Sequence, residues 1–297
     1  MNIVRIGTRG SQLALKQAYM VQEALLRADC QLKTEIVILR TKGDTIKNKP
    51  FAEIGEKGIF VSEFEQGLQD GQIDLAVHSA KDLPITLAEG LSIAAVLERA
   101  DVRDVLIVHK ESKWPLIHTE SFVIGSSSRR RQLQAKQLWN FVCCKDIRGN
   151  VDSRLRKLKE GSYDGILLAK AGLDRLGVEE QHEKELKFYP LPPTQFLPAA
   201  CQGIIAVETV QDSLVTTLCK KITDVDTELC FLVEREVLFW LAADCSEAAA
   251  AWCRKEKNEL ILDVMYAGKR QKCTCTANIQ DGLEMAREAA KLVLCKA

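Results

Sequence analysis

The chain has 297 residues, of which 46% are hydrophobic and 28% charged, with Lys+Arg and Asp+Glu each totalling 41. That composition suits a globular protein of two or three domains. The zero net charge excludes bulk attraction to nucleic acid or to an anionic membrane, so any polyanion must be met by locally converging cations.

From the N-terminus, strand-like and helix-like periods alternate, which predicts α/β architecture with largely parallel sheets. Residues 2–6 read as a strand and Ser11–Arg27 as a helix, with Leu13, Leu15, Ala18, Val21 and Leu25 on its apolar stripe. Glu35–Leu39 is a second strand, running into the turn Arg40–Asp44. Ile59–Gln69 reads as a helix and Ile73–Val77 as a buried strand. A second round begins near residue 100. Val102–Val108, Phe122–Ile124, Phe141–Cys144 and Tyr163–Leu168 read as strands, with helices over Arg130–Trp139 and Val151–Lys159. The repetition suggests two related α/β domains across a cleft, and the proline-marked stretch Pro190–Pro198 a crossing back between them. After about residue 220 the pattern changes to a long helix, Val225–Leu241, strands over Glu259–Tyr266 and Cys273–Ile279, and a terminal helix from Leu283 to Cys295. The expected domains are 1–98 with 200–220, then 99–199, then a small α+β domain over 221–297.

Four turns follow these strands. They are Ile6-Gly7-Thr8-Arg9-Gly10-Ser11, His78-Ser79-Ala80-Lys81-Asp82-Leu83-Pro84, Gly125-Ser126-Ser127-Ser128-Arg129-Arg130-Arg131 and Ile147-Arg148-Gly149-Asn150. Turns at the carboxyl ends of parallel strands that open into helices are natural anion sites. Backbone N–H groups and the positive helix end face the ligand, and Arg forks grip a carboxylate at two points. A polyanionic ligand is expected, with Asp82, an acid among cations, as the candidate for chemistry. No metal is expected, because Cys143-Cys144 and Cys273-x-Cys275 lack paired C-x-x-C spacing and the four histidines are scattered. No apolar run reaches the roughly 18 residues of a membrane span. Met1-Asn2-Ile3-Val4-Arg5 does not read as a signal peptide. A cytoplasmic setting is expected, with the 11 cysteines as reduced thiols.

In order and together, these turns resemble those of the porphobilinogen deaminase (hydroxymethylbilane synthase) family. The resemblance continues through Gly58-Ile59-Phe60-Val61, Tyr163–Ala169 and Ala171-Gly172-Leu173 and covers nearly the whole chain. It implies two periplasmic-binding-protein-like α/β domains plus a small α+β domain. The implied activity is a transferase of heme biosynthesis that joins four porphobilinogen molecules head to tail, releasing ammonia each time, to give hydroxymethylbilane. Each pyrrole carries an acetate and a propionate. The resemblance assigns their binding to Arg9, Arg130, Arg131, Arg148 and Arg154, with Ser11, Lys81, Ser127 and Ser128 as further donors. It makes Asp82 the acid–base group, whereas His78 in the same turn reads as structural. It also implies a dipyrromethane cofactor joined by a thioether to Cys245, a small-molecule substrate, no nucleic-acid or membrane partner, and a monomer.

Around Cys245 the chain departs from the family's glycine- and proline-bearing loop. Ala242-Ala243-Asp244-Cys245-Ser246-Glu247-Ala248-Ala249-Ala250-Ala251 favours helix by composition, and Asp244 with Glu247 resembles a capping box. The thiol is therefore expected at a helix start. Cys201 before Gln202-Gly203, where the family usually has Gly, is a smaller departure. Two alternatives stay open on the residues alone. One is a homologue that binds polycarboxylate pyrroles or small anions without covalent cofactor, and the other is an anion-binding module built like a periplasmic binding protein.

Overall fold

The computed structural model describes residues 3–40, 62–114, 122–243 and 247–295. The Gly58–Val61 run, most of the Arg40–Asp44 turn and Cys245 lie outside the described residues. The chain divides into two compact units, Met1–Ala100 with Ile204–Arg235, and Asp101–Gly203 with Glu236–Ala297.

In the first unit, β1 (Val4–Thr8) leads through a tight turn into α1 (Gln12–Ala28). β2 (Thr34–Ile38), α2 (Ser62–Gln69), β3 (Leu75–Ser79) and β4 (Leu91–Val96) follow. The sheet is completed by β10 (Ile205–Val210), and the unit also holds α7 (Leu214–Lys220). Strand order is β2-β1-β3-β10-β4, with β1 parallel to β2 and β3, and β10 antiparallel to β3 and β4. Ala18, Val21 and Leu25 of α1 recur at helical spacing and pack on Val4, Ile6, Leu75 and Val77 of one sheet face. Phe64 and Leu68 of α2 cover the other face over Ile73 and Ala76.

The second unit repeats this plan. β6 (Phe122–Gly125), α3 (Arg129–Leu138), β7 (Val142–Lys145), α4 (Val151–Lys159), β8 (Gly165–Ala169), α5 (Lys170–Leu176) and α6 (Val178–His182) follow one another. Strand order is β7-β6-β8-β5-β9, where β5 (Asp104–His109) is antiparallel to β8 and to β9 (Leu186–Pro190). In each sheet, then, four of the five strands run the same way and one, β10 or β5, is reversed, so the sheets are largely parallel as expected, with one antiparallel strand inserted.

The fold class is mixed α/β with a small additional α+β layer, as the sequence predicts. α8 (Val225–Leu241) has the predicted bounds. The layer itself is the antiparallel sheet β11 (Ala249–Glu256), β12 (Glu259–Tyr266), β13 (Lys269–Thr276), covered by α9 (Ile279–Cys295). Leu197, Ala250 and Met265 pack together and tie this sheet into the second unit. The alanine run corrects the sequence expectation: residues 249–251 are strand, not helix. Ala250 and Ala251 pair with Met265 and Val264 and are fully buried. Sheet pairing and burial of a small side chain outweigh alanine's modest intrinsic helix preference.

Candidate functional site

Two turns of the first unit stand at the carboxyl ends of neighbouring parallel strands, β1 and β3, which pair Ile6 with Leu75 and Gly7 with Ala76. A Cβ at Gly7 would lie 2.4 Å from the Cδ1 end of the Ile73 side chain and 3.3 Å from Leu75 O, so any larger residue there would displace Ile73. Ser11 caps α1, its Oγ accepting from Ala14 N at 3.3 Å, and Thr8 Oγ1 donates to Ala14 O at 3.1 Å. Arg9, half-buried, sits between these two anchors. After β3 the chain makes one 3-10 turn, Ala80–Asp82, closed by Leu83 N on Ala80 O. Ala80 N also donates to Ile204 O at 3.0 Å. Gln17 of α1 exchanges hydrogen bonds with Ser79, and Arg235 Nη2 donates to Pro84 O (2.7 Å) and Ile85 O (2.5 Å). The turn is thus held at both ends, with Lys81 half-buried and Asp82 exposed to solvent. His78 is buried on Glu208 of β10, Nε2 to Oε2 at 2.9 Å, with the Phe64 ring edge-on at 5.3 Å. That is a structural setting, as expected for this residue.

The second unit gathers the other turns at the ends of β6 and β7, again parallel neighbours. Ser127 Oγ donates to Ile147 O (2.8 Å) and accepts from Ile147 N (3.1 Å), locking the two turns together. Ser128 caps α3 through Arg131 N, and Asn150 caps α4 through Ser153 N at 2.9 Å. Gly149 has φ +114°, and a Cβ there would lie 2.7 Å from Ser153 Cβ, so the turn demands glycine. Arg154 Nε donates to Gly149 O at 2.8 Å and Lys157 Nζ to Arg148 O at 3.0 Å. Arg148 and Arg154 are both half-buried.

Arg130 and Arg131 are drawn inside the second unit. They are 3% and 7% exposed, and the carboxylate they hold is the protein's own Asp104, itself 0% exposed. Arg130 Nη1 donates to Asp104 Oδ2 at 2.7 Å. Arg131 Nε (3.0 Å) and Nη2 (2.6 Å) both donate to Oδ1, which also accepts from Gln202 Nε2 at 3.1 Å. Burial alone would raise the Asp104 pKa, but attraction to Arg130 and Arg131 holds it well below the usual carboxylate range. Two guanidiniums against one carboxylate leave a buried positive excess.

Arg175 is a further cation of this unit, without a role in the sequence reading. Its Nη2 donates to Gly203 O at 2.8 Å, and burial pushes its pKa down. The Nε atoms of Arg130 and Arg175 are buried with no hydrogen-bond partner among the described residues. The strand-then-helix recurrence that marks Arg130 and Arg148 continues through β8 and α5 to Arg175, and was the available signal. Asp104, Glu208 and Gln17 have no such local mark.

A family model described as "Porphobilinogen deaminase, dipyromethane cofactor binding domain" matches residues 4–217. The chain belongs to the porphobilinogen deaminase family. Proteins named porphobilinogen deaminase share its length: that of Streptococcus sanguinis (strain SK36) is 38% identical over 293 residues, 98% of this chain and 95% of that protein. That of Syntrophomonas wolfei subsp. wolfei is 40% identical over 309 aligned residues, covering 100% and 99%. Among solved structures, the Bordetella pertussis BvgS periplasmic VFT2 domain is similar with a TM-score of 0.47 at 14% identity, covering 76% of this chain and 89% of that one. The domain matched in the porphobilinogen deaminase family binds a dipyrromethane, and the residues present fit that group. A buried positive excess and the Nε–H groups of Arg130 and Arg175, buried without an acceptor among the described residues, suit carboxylate-bearing pyrroles. Cysteine chemistry inside the core is disfavoured: burial pushes the Cys219 thiol up to about 12, leaving it a packing residue. No described helix is long and apolar enough to cross a membrane.

Proposed function

We propose that this protein is a porphobilinogen deaminase, a transferase that condenses four porphobilinogen molecules head to tail, with loss of ammonia at each step, to give hydroxymethylbilane. The observation that carries the reading is the Lys81–Asp82 turn, anchored beside the Arg9 turn, in a chain whose porphobilinogen deaminase relatives align over 98–100% of its length. Asp82 donates a proton to the aminomethyl nitrogen of the substrate as ammonia departs. Its carboxylate then faces the electron-poor methylene carbon and later takes up the surplus proton from the attacked pyrrole carbon. When bound through Cys245, the dipyrromethane supplies the free pyrrole end that substrate units extend. Arg9, Arg148 and Arg154 bind the pyrrole acetates and propionates, with Lys81 as a further donor. Ser11 and Ser128 accept hydrogen bonds as helix caps and still have their O–H to donate. Ser127 shapes the turn through Ile147, and Arg130 and Arg131, paired on Asp104, complete the set of cations for these carboxylates. Three domains, 1–98 with 200–220, 99–199 and 221–297, act as one cytoplasmic monomer without nucleic-acid or membrane partners.

The test is the intact mass of protein from a porphobilinogen-producing host, beside Cys245→Ser, with hydroxymethylbilane formation assayed in parallel. A mass excess of two linked pyrroles that the variant lacks is expected. An unmodified mass in both would refute the covalent cofactor and favour a plain anion binder. Asp82→Ala should keep the fold and the cofactor while turnover falls about 10²–10⁴-fold, the usual contribution of a positioned acid–base group. Normal turnover would remove Asp82 from the mechanism.

A further inference from the structure

The two guanidiniums on Asp104 differ in what each has left to offer. All three Arg131 nitrogens already donate within the protein, Nε and Nη2 to Asp104 and Nη1 to Leu167 O at 3.0 Å. Arg130 donates only through Nη1, to Asp104 and to Leu197 O at 2.6 Å, among the described residues. Its Nε is buried without an acceptor there, and Phe196 lies under its plane with Cζ 5.9 Å from the ring centroid. The peptide it grips is fixed in turn, since Gln134 bonds both Leu197 N (2.7 Å) and Leu197 O (2.9 Å), and Arg270 Nη2 donates to Gln134 Oε1 at 2.7 Å.

We propose that Asp104 is a positioning residue for ligand binding: paired with Arg131, it fixes Nη1 of Arg130, so that Nε and Nη2 of Arg130 are kept for a carboxylate of the bound pyrrole. Arg131, whose Nε and Nη2 edge is committed to Asp104, acts in this through Asp104. Asp104 also keeps two like charges in contact, and without it they would repel and the Arg130 fork would turn away. A fork pre-oriented on a buried carboxylate loses little freedom when the ligand arrives. The identity of the pyrrole carboxylate rests on the functional reading above; the division of labour between the two arginines rests on the hydrogen bonds alone.

The test compares Asp104→Asn, Arg130→Gln, Arg131→Gln and the Asp104→Asn/Arg130→Gln double variant as purified from a porphobilinogen-producing host. Folding is checked by circular dichroism. Binding is read as the rise in melting temperature given by porphobilinogen, which needs no turnover, and as KM and kcat. Asp104→Asn and Arg130→Gln should each weaken binding about tenfold, as for loss of one charged hydrogen bond, with kcat within about threefold of the parent. The double variant should be no worse than Arg130→Gln, because Asp104 acts through Arg130. Should Asp104→Asn fail to fold, Arg131→Gln, which leaves Asp104 on Arg130 and Gln202, gives the same comparison with a loss of about threefold. Multiplying losses in the double variant, or a folded Asp104→Asn or Arg131→Gln protein that binds like the parent, would overturn the proposal. Hydroxymethylbilane formation by the unmodified protein separately tests the functional reading, and the melting shifts are read whichever way that assay falls.

Discussion

The reversed strand of each α/β sheet carries one completely buried carboxylate, and the two are handled in opposite ways. Glu208 on β10 meets one side-chain partner among the described residues, His78, and its Oε1 has no hydrogen-bond partner there. Asp104 on β5 meets two permanent cations and an amide. Above them, the exposures reverse. In the first unit the acid of the turn, Asp82, is exposed and the buried pair lies behind it; in the second, Arg130 and Arg131 are themselves drawn inside. A duplicated strand-turn-helix plan thus yields an accessible acid in one unit and a buried positive reservoir in the other. In the second unit it is the side chain of the reversed strand, Asp104, that holds the two arginines inside.

The comparison breaks most sharply at Asp104. Asp104→Ala leaves two buried guanidiniums without their carboxylate and should cost about 3–5 kcal/mol in urea unfolding, the usual penalty for halving a buried ion pair. Because the Asp104 pKa is depressed in the fold, its stabilisation is complete above the ordinary carboxyl value of about 4 and fades as the pH drops below that. The stability gap between parent and variant should therefore be flat at neutral pH and narrow in acid. A gap that widened in acid would contradict the pairing.

Gly149→Ala should follow, at about 1–3 kcal/mol, because φ +114° and the 2.7 Å approach to Ser153 both oppose a Cβ. A melting temperature equal to the parent's would show that this turn relaxes freely. Glu208→Gln, which keeps size but removes charge, should cost about 1–2 kcal/mol, less than Asp104→Ala, since only one hydrogen bond to His78 is weakened. Equal costs at the two strands would erase the contrast. The smallest effect is expected for Ser128→Ala, about 1 kcal/mol from loss of the α3 cap, read in the same unfolding assay.

Where the signal is local, the sequence is sufficient. The bounds of α4, α8 and β12 fall where the apolar period and caps put them, and the Arg9, Asp82, Ser128 and Arg148 turns stand at strand ends as read. β13 and α9 begin about four residues earlier than the pattern suggests, as boundaries set by pairing and by capping at Asn278 often do. β4, β9, β10 and β11 carry no clear period of their own and are made strands by their neighbours. Cys201 is buried at φ +60°, a conformation glycine would take without strain, yet this chain keeps a thiol there.

By itself the sequence determined the α/β alternation, the turns at the strand ends and the membership of the porphobilinogen deaminase family, because each is written in neighbouring residues or in their order. Only the tertiary structure decided that Arg130 and Arg131 face inward, since their partner Asp104 lies 26 and 27 positions away on a strand that runs the other way. It also decided that the alanine run after Cys245 is strand, because burial against Met265 and Val264 overrides a local preference of only a few tenths of a kcal/mol per residue.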